Sequence, residues 1–520
     1  MELPVEFKEY AISALGEEVA CGLFDAIGSG EEITSVRVNP LKGVDGQVRG
    51  GASASSDASM EMFGECLSDC IPDNFPDCFP AQVEDRVPWS RLGYYLKERP
   101  VFTLDPLFHA GAYYVQEASS MYMELARSAI EKDFAGRRVG EELSGRGFFD
   151  HDIAALDLCA APGGKSTHLV SLLGKDSLLV SNEVIKSRSV VLADNIAKWG
   201  CDNVVVTNND PADFGAFEEY FDLIVVDAPC SGEGLFRKEP EAVEEWSPAN
   251  VELCAQRQQR ILADIWPALK PGGYLIYSTC TYNKFENDSN LLWMVETLGC
   301  NNETLSLCTI ASESGIVETA GGGLQFIPCK IKGEGQFMAV VRKGGDWEPS
   351  QMRKGGAKPA HGRKNKDSKG KSQPQLEKGC TYLPDNYVKI LQGDLVKAYR
   401  KELYEQINYI EENLRIVLSG IAVANKKGKD YVPHADFALQ GVMASMVATG
   451  TLPHGISAVE VSREDALRFL AKEPLVLPGA PMGYVLLVYR GLGLGFVKNL
   501  GNRTNNLLPM ARRIRMRIGD

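Results

Sequence analysis

The sequence DLCAAPGGKST, at residues 157–167, decides the fold class of this chain. A mainly apolar run at residues 153–158 leads into it, and residues 166–173 beyond the turn have helical spacing. Because Gly163 and Gly164 carry no Cβ atom, the backbone can turn sharply here and approach a ligand closely. The helix that follows offers unpaired N–H groups to the same ligand. The stretch predicts the strand, glycine loop and helix start of a nucleotide-binding α/β unit, although a tight turn without a ligand is an alternative.

The segments after this stretch alternate between strand and helix patterns. The helical patterns cover residues 186–199 and 251–269, and the KPGG sequence at residues 270–273 is expected to close the second helix. Such alternation is typical of an α/β fold with a doubly wound parallel sheet. The predicted strands are residues 154–158, 177–182, 204–208, 223–227, 273–278 and 336–342.

Length and composition indicate a globular protein of two or three domains. With 520 residues, the chain is longer than one hydrophobic core usually supports. Its composition, 44% hydrophobic and 24% charged residues, is that of an ordinary globular protein. Its apolar runs are too short to cross a bilayer, and its first six residues lack the basic start and apolar core of a signal peptide. We therefore expect a cytoplasmic protein without a membrane anchor.

Composition also marks the units on either side of the predicted sheet. Residues 1–42 mix helical and extended patterns and predict a small α+β domain, whereas residues 43–59 have the composition of a flexible loop. Residues 346–378, rich in Lys, Gly, Ser and Pro, cannot bury enough apolar surface to offset the cost of ordering and predict a disordered linker. A glycine-rich pair of strand patterns at residues 483–498 predicts a second globular unit.

The charge distribution leaves two candidate contacts for nucleic acid. The net charge of -14 does not indicate a general nucleic-acid binder, so local clusters must be considered. Residues 351–378 carry nine Lys and Arg, and the carboxyl terminus carries Arg512, Arg513, Arg515 and Arg517. Each cluster could contact phosphate or be merely solvated, and for the first of them solvation is at least as good an explanation.

Four acidic residues end or follow predicted strands: Asp157, Glu183, Asp210 and Asp227. Ligands bind at the carboxyl ends of parallel strands, and an acid after the second strand, here Glu183, usually contacts ribose hydroxyls. One such acid is more often a helix cap or a solvated side chain. Four in register favour a ligand site.

The same stretch partly matches a phosphate-binding P-loop. Gly164, Lys165 and Ser166 fit the end of that motif, but Cys159 stands where its first glycine belongs. The spaced G-x-G-x-x-G of dinucleotide-binding proteins is also missing. ATP hydrolysis and dinucleotide binding are therefore weaker interpretations.

Two of the thirteen cysteines follow strand patterns. Cys230 lies in DAPCSGEG and Cys280 in YSTCTY, and both thiols should face the same crevice, where a cation or backbone donors can hold a thiolate. The cysteines show no paired zinc-ligand spacing, and a reducing compartment argues against a disulfide framework, so we expect no metal. Inert buried thiols are expected for Cys159, Cys201, Cys254, Cys300 and Cys308.

Three motifs together carry a family resemblance. DLCAAPGGKSTHL, DAPCSGEG and YSTCTYNKFEN resemble the motifs of the Nop2/Sun family of RNA cytosine-5 methyltransferases. The long carboxyl-terminal extension is similar to the bacterial RsmF/YebU branch of that family, which acts on ribosomal RNA. The match is good over about residues 87–342 and less specific at the ends.

The resemblance implies an enzyme that uses S-adenosylmethionine (S-adenosyl-L-methionine). It implies Cys280 as the nucleophile that adds to C6 of cytosine, Cys230 as the second cysteine that assists release, and Asp227 and Lys165 as stabilising charges at the base. The cofactor-binding residues implied by the resemblance are Cys159, Ala160, Ala161, Pro162, Gly163, Gly164, Lys165, Glu183, Asp210 and Asp227.

The resemblance also implies a domain arrangement. A Rossmann-like methyltransferase domain at residues 105–345 would lie between an RNA-binding α+β domain at residues 1–104 and, after the linker, an RNA-binding region with a PUA-like domain at residues 379–520. We expect a monomer whose partner is ribosomal RNA or the small ribosomal subunit.

Some alternatives stay open. DNA cytosine-5 methyltransferases use the cysteine of a Pro-Cys pair as nucleophile, which would exchange the roles of Cys230 and Cys280. A tRNA methyltransferase would share every catalytic residue, and a noncatalytic ribosome assembly factor could keep the fold. Cys329 stands where the family often has histidine, so any role of that histidine is in doubt here.

Overall fold

The computed structural model describes residues 2–42, 82–137, 146–299, 303–305, 315–349 and 375–517. The predicted loop at residues 43–59, most of the predicted linker, and Cys300 and Cys308 lie outside these ranges. Within them, no helix is long and apolar enough to cross a membrane. The same ranges contain no group of three or more His, Cys, Asp or Glu side chains placed to hold a metal ion.

The amino-terminal part combines two helices with a small sheet. Its elements are α1 Val5–Leu15, α2 Glu17–Ser29, β1 Thr34–Val38, β2 Val83–Arg86, β3 Gly93–Leu96, α3 Pro106–Ala110, β4 Tyr113–Val115 and α4 Met123–Arg137. The four strands form an antiparallel sheet in the order β2-β3-β1-β4. Phe7 of α1 packs against Phe236 of the central domain, with ring centroids 5.0 Å apart. Because β4 lies beyond residue 104, this sheet extends past the predicted domain limit.

The central part alternates strands and helices as the sequence predicts. Its elements are β5 Ala154–Asp157, α5 Gly164–Val170, β6 Leu178–Asn182, α6 Lys186–Trp199, β7 Val204–Thr207, β8 Phe221–Asp227, α7 Pro240–Glu245, α8 Pro248–Ile265, β9 Leu269–Thr279, α9 Asp288–Thr297, β10 Glu303–Thr304, β11 Val317–Glu318, β12 Leu324–Phe326 and β13 Gln336–Arg342. Strands β9-β8-β5-β6-β7 are parallel. Along them, Ala155 and Leu179 face one hydrophobic core and Leu156 and Val180 the other, because helices cover both faces. The doubly wound α/β fold is confirmed, with antiparallel β13, β12 and β11 at one edge.

The predicted end of the second long helix is wrong. Helix α8 ends at Ile265, followed by a 3-10 turn at Trp266–Ala268, and the KPGG residues belong to β9. Pro267 has no backbone N–H and cannot continue the α-helical ladder. Two backbone hydrogen bonds hold the KPGG segment beside the end of β13 instead. The N–H of Lys343 donates to the carbonyl oxygen of Gly273 at 2.9 Å, and the N–H of Gly272 donates to the carbonyl oxygen of Lys343 at 3.1 Å.

The carboxyl-terminal part holds two further sheets. Its elements are β14 Gln375–Leu376, β15 Tyr387–Gln392, β16 Leu395–Arg400, α10 Tyr404–Asn413, β17 Ile416–Leu418, β18 Ile421–Lys427, β19 Asp430–Pro433, α11 Ala435–Ala438, α12 Gly441–Thr449, β20 Ile456–Glu460, α13 Arg463–Leu470, β21 Gly483–Tyr489, β22 Leu492–Asn499 and β23 Thr504–Asn506. The sheet orders are β14-β15-β16-β18-β19 and β20-β21-β22-β23, and the predicted strand pair is confirmed as β21 and β22.

This part is not separate from the central sheet. Strand β17 pairs antiparallel with β7 and extends the central sheet at its second edge. Leu487 and Leu494 share a core with Val36 and Leu107 of the amino-terminal part. Strand β14 also lies within the predicted linker, so that residues 375–378 are structured.

Candidate active site

The glycine loop joins β5 to α5 and fixes the end of the strand. Gly163 has a φ of 111°, in the left-handed region, and a Cβ atom on it would lie 3.1 Å from Cδ1 of Leu192. Ser166, in the first turn of α5, donates a hydrogen bond to Oδ2 of Asp157 at 2.6 Å. Asp157 is only 1% exposed, and this burial raises its pKa to about 7. Loop, strand end and helix start therefore form one fixed unit.

Three of the four predicted acids come together at the carboxyl edge of the sheet. Asp227 and Glu183 both lie close enough to Asp157 to raise its pKa electrostatically, after the larger effect of burial. Glu183 is 3% exposed and accepts a hydrogen bond from the backbone N–H of Ile185 at 2.8 Å. Asp210 is more exposed than these three: its side chain is 43% exposed and caps a 3-10 helix by accepting the N–H of Ala212 at 3.1 Å.

Asp227 and Lys165 form an ion pair inside the crevice. Nζ of Lys165 lies 2.9 Å from Oδ2 of Asp227. Burial alone would lower the pKa of Lys165, but Asp227, as a charge and as a hydrogen-bond acceptor, raises it above its ordinary value. A negative charge on Cys280 would add to that rise, so the ammonium group lies near the sulfur as well as Asp227. Lys165, which the glycine loop positions, thus lies near the ends of both strands, β8 and β9.

A relay of hydroxyl groups holds the other oxygen of Asp227. Ser278 donates to Oδ1 at 2.7 Å, and the buried phenol of Tyr122 donates to Ser278 at 2.5 Å. Burial raises the pKa of Tyr122 well above its usual range, so the phenol stays a donor. Gln336 Nε2 lies 3.5 Å from the same carboxylate oxygen. Both oxygens of Asp227 are therefore fixed by neighbouring donors.

The two strand-end cysteines meet as predicted. Their sulfur atoms are 3.0 Å apart, and the backbone N–H of Cys280 lies 3.3 Å from the sulfur of Cys230. The hydrogen bond to Cys280, together with burial, raises the pKa of Cys230 well above its usual range. A protonated Cys230 can then donate its S–H to the sulfur of Cys280, which also faces the charge of Lys165.

Three of the cysteines expected to be inert lie within the described ranges. Cys254 is buried, and Cys159 and Cys201 are partly buried. Burial raises the thiol pKa of each, to about 11 for Cys254, which favours the neutral form. These values agree with the expectation of unreactive thiols.

The segment that carries Cys329 packs against the amino-terminal part. The sulfur of Cys329 is exposed and lies 3.8 Å from the carbonyl oxygen of Val19 on α2. Further along, a Cβ atom on Gly335 would lie 2.1 Å from the hydroxyl oxygen of Tyr282. Gly335 therefore has to be glycine for this segment to pack on the loop of Cys280, whereas Cys329 contacts α2.

Sequence reasoning missed several residues of the site. Ser278, Glu233 and Glu286 lie inside the quoted motifs, so their polar character beside the cysteines was a usable signal. Tyr122 had no such signal, because it reaches Asp227 only through Ser278 and from a distant part of the chain. Hydrogen bonds of this kind leave no local pattern.

Arg512 is engaged in packing between the carboxyl-terminal and central parts. It forms ion pairs at 2.7 Å with Asp194 on α6 and with Asp436 on α11, and it is 13% exposed. The predicted phosphate contact is therefore wrong for this residue. Arg513, Arg515 and Arg517 are exposed. The basic cluster at residues 351–374 lies outside the described residues.

Sequence profiles of three families match the chain. Residues 149–342 match 16S rRNA methyltransferase RsmB/F, residues 71–118 match the N-terminal domain of 16S rRNA methyltransferase RsmF, and residues 457–514 match the methyltransferase RsmF PUA domain. Among solved structures, the crystal structure of PH0851 matches with a TM-score of 0.51 and 24% sequence identity. The match covers 66% of this chain and 66% of that one. That likeness shows the fold alone.

Curated relatives match over most of their length. Ribosomal RNA small subunit methyltransferase F of Escherichia coli O139:H28 is 30% identical over 435 residues, covering 81% of this chain and 83% of its own. The protein of the same name from Aliivibrio fischeri is 31% identical, covering 81% and 84%. The chain therefore belongs to the RsmB/F family of 16S rRNA methyltransferases, which are RNA m5C methyltransferases, and to its RsmF-like members with an N-terminal and a PUA domain.

Proposed function

We propose that this protein transfers a methyl group from S-adenosylmethionine to C5 of a cytidine in 16S rRNA, through a covalent bond between Cys280 and C6. The observation that carries the proposal is the placement of the Cys230 and Cys280 sulfurs, 3.0 Å apart, beside the ion pair of Asp227 and Lys165. Both pairs lie at the carboxyl edge of a parallel sheet, where α/β enzymes bind their ligands.

The residues around the glycine loop fit the proposed cofactor. Among the described residues, Asp157 Oδ1 and Ser181 Oγ are buried atoms without a hydrogen-bond partner at this edge of the sheet. Val184 and Ile185, which follow Glu183, are 54% and 49% exposed and offer apolar contact for a purine ring. The loop from Cys159 to Lys165, with Glu183, Asp210 and Asp227, would hold S-adenosylmethionine, which supplies an electrophilic methyl group.

The remaining chemistry is assigned to side chains of this chain. C5 of cytosine is a poor nucleophile, and addition of the Cys280 thiolate at C6 makes it electron-rich enough to accept a methyl group. Asp227 accepts hydrogen bonds from N4 and protonated N3 of the base, which stabilises the adduct, and Lys165 pairs with Asp227 at 2.9 Å. After methyl transfer, loss of the C5 proton restores the double bond and expels the thiolate, a step we assign in part to Cys230.

The electrostatics favour Cys280 as the nucleophile. Lys165 lies close enough for the charge of Cys280 to raise the lysine pKa. Cys230, by contrast, has a pKa raised well above its usual range by its hydrogen bond to Cys280 and by burial. The raised pKa of Cys230 suits proton donation, and the position of Cys280 near Lys165 suits attack.

The outer parts are proposed to bind RNA. The proposed units are residues 1–104, whose sheet also takes in β4, the catalytic residues 105–345, the linker at residues 346–378, which contains β14, and the PUA-containing residues 379–520. The exposed Arg513, Arg515 and Arg517 extend from the last unit and suit contact with phosphate. The target base must leave its stack to reach Cys280, which costs a few kcal/mol and less in a loop. We propose that the protein works as a monomer.

The decisive test uses an RNA substrate that carries 5-fluorocytidine. Its C5 carries fluorine in place of the proton that must leave, so the covalent complex is trapped after methyl transfer. The wild-type protein and Cys230→Ala are expected to form a denaturation-resistant complex with this RNA in the presence of S-adenosylmethionine. Cys280→Ala is expected to form none, with Cys254→Ala as the control for loss of a buried thiol. A complex with Cys280→Ala and none with Cys230→Ala would reverse the assignment.

The substrate class is tested separately. Bisulfite sequencing of 16S rRNA and tRNA from a deletion strain is expected to show an unmethylated cytidine in 16S rRNA alone. A change confined to tRNA would support the tRNA alternative. If neither RNA changes and the purified protein does not bind S-adenosylmethionine, a noncatalytic assembly role replaces this proposal.

A further inference from the structure

Each of the two cysteine loops carries its own buried glutamate. Glu233 follows Cys230 by three residues, and Glu286 follows Cys280 by six. Their exposures are 1% and 0%. Carboxylates are rarely buried to this extent unless donors surround them, so the partners of these two side chains are informative.

Glu286, on the loop of Cys280, holds the loop of Cys230. Its Oε2 accepts the backbone N–H of Ser231, the residue after Cys230, at 3.0 Å, and Nε2 of Gln258 at 2.7 Å. Its Oε1 accepts Nδ2 of Asn283 at 2.8 Å. The carboxylate therefore joins the backbone of one loop to a side chain of the other.

Glu233, on the loop of Cys230, holds the loop of Cys280 in return. Its Oε2 accepts the backbone N–H groups of Tyr282 and Asn283 at 2.8 and 3.1 Å. Its Oε1 accepts Nε1 of Trp246 at 3.0 Å and Nδ2 of Asn283 at 2.9 Å. Each loop thus supplies the carboxylate that satisfies the backbone of the other.

We propose that Glu233 and Glu286 are positioning residues that cross-link the two loops and thereby set the distance between the sulfurs of Cys230 and Cys280. The use of the two thiols in catalysis rests on the proposed function, whereas the cross-link itself is independent of that function. Neither glutamate contacts a sulfur; both act through the backbone that follows each cysteine.

Glutamine is the informative replacement at both positions. It has nearly the volume of glutamate, but its amide nitrogen is a donor and would face a donor wherever it is placed. The described partners of the two carboxylates are N–H groups, joined at Glu286 by the side-chain hydroxyl of Ser231. We expect the two loops to separate, in addition to the general loss of stability that follows removal of a buried charge.

Asp222 provides the matched control for that general cost. It is fully buried at the opposite end of β8. It accepts hydrogen bonds from the N–H of Ala154 at 2.8 Å and Nε1 of Trp347 at 3.0 Å, and it pairs with Nζ of Lys270 at 2.5 Å. Asp222→Asn removes a buried carboxylate from the same domain without touching either cysteine loop. It is expected to lower the melting temperature and to leave the thiol pair unchanged.

The first readout is a chemical test of the distance between the sulfurs. Phenylarsine oxide reacts with two neighbouring thiols to form two As–S bonds, and its oxygen leaves as water with the two thiol protons. The wild-type full chain is expected to take up one phenylarsenic group across Cys230 and Cys280, located by peptide mass spectrometry. Glu233→Gln and Glu286→Gln are expected to react at least tenfold more slowly, whereas Asp222→Asn reacts at the wild-type rate.

The second readout separates positioning from cofactor binding. At temperatures where each variant is folded, the rate of covalent complex formation with 5-fluorocytidine RNA is expected to fall at least tenfold in both glutamine variants. Their dissociation constants for S-adenosylmethionine, measured without RNA, are expected to stay within twofold of the wild-type value. If the glutamates were merely structural, their replacement would lower stability without slowing complex formation selectively over cofactor binding.

Milder variants keep the inference testable if the glutamine variants do not fold. Trp246→Phe removes one donor to Glu233 and leaves a smaller ring, and Gln258→Met removes a donor to Glu286 and to the carbonyl oxygen of Pro229 with similar side-chain volume. Both are expected to slow the arsenical reaction twofold to fivefold. Wild-type rates in every folded variant of these two networks would overturn the inference. If the arsenical results hold but Cys280→Ala still forms the RNA complex, the cross-link stands and the proposed function fails.

Discussion

Arg37, on a strand of the amino-terminal sheet, donates a hydrogen bond at 3.0 Å to the carbonyl oxygen of Gly164, at the start of the helix behind the glycine loop. Its guanidinium group also donates to Thr167 Oγ1 at 2.6 Å and lies 4.6 Å from the ring of Trp199. The side chain is fully buried, which lowers its pKa to about 9. The amino-terminal part thus fixes the loop that we propose holds the cofactor.

Replacing Arg37 by lysine should therefore weaken both folding and cofactor binding. Lysine keeps the charge but lacks the planar fork, whose Nε donates to Oε1 of Gln116 at 2.7 Å while one terminal nitrogen reaches both Gly164 and Thr167. Loss of hydrogen bonds from a buried cation should lower the free energy of unfolding by about 2 kcal/mol, measured by urea denaturation. Affinity for S-adenosylmethionine, measured by calorimetry, should fall several-fold.

The control for this change is Arg468→Lys, on the surface of α13. Arg468 pairs with Glu464 at 2.8 Å, but its side chain is 45% exposed. Its replacement should change the free energy of unfolding by less than about 0.5 kcal/mol. Equal effects of the two replacements would show that the contact with Gly164 does not matter.

Lys165→Met should slow covalent complex formation more than any loss of stability explains. The change leaves Asp227 and Cys280 without the ammonium group that faces both. By analogy with the loss of a charge-stabilising donor, the rate with 5-fluorocytidine RNA should fall about 100-fold. Lys198→Met, which breaks the ion pair with Asp194 on α6, is the control and should leave the rate unchanged. A wild-type rate in Lys165→Met would remove the lysine from the proposed chemistry.

The sequence predicts the parts of the fold and site that depend on local patterns. Helix α6 has the predicted limits, β13 has the predicted limits, and the two cysteines meet because both follow parallel strands. The pairing of β17 with β7 was not predictable, since a three-residue strand carries almost no periodicity. The contacts of Arg37 with Gly164 and of Tyr122 with Ser278 join residues more than 120 positions apart. They depend on packing between units, which no local spacing encodes.

Asp157 should make the stability of the protein depend on pH. Burial raises its pKa from 3.8 to about 7, so the folded state binds a proton more tightly than the unfolded state. Its contribution to stability is therefore fully present below about pH 4 and is lost as the pH rises to about 7. Between pH 5 and pH 7, wild-type protein should lose about 2 kcal/mol of unfolding free energy relative to Asp157→Asn, since one pKa unit is about 1.4 kcal/mol.

Urea denaturation of both proteins at several pH values measures this difference directly. The two curves of unfolding free energy against pH should converge toward low pH and separate up to about pH 7, with a constant gap above it. Parallel curves over the whole range would mean that Asp157 is ionised in the folded protein at pH 5.

The carboxyl-terminal arginines should divide into two groups when RNA binding is measured against salt. Replacing the exposed Arg513, Arg515 and Arg517 together by glutamine removes up to three phosphate contacts. The slope of log K against log salt concentration, from fluorescence anisotropy with a ribosomal RNA fragment, should then become shallower by about 2. Arg512→Gln breaks the ion pairs with Asp194 and Asp436 and should lower the melting temperature without changing the slope. A flat salt dependence of the wild-type protein would exclude the proposed phosphate contacts of the outer parts. Equal slopes for the wild type and the triple variant would exclude only the contacts of these three arginines.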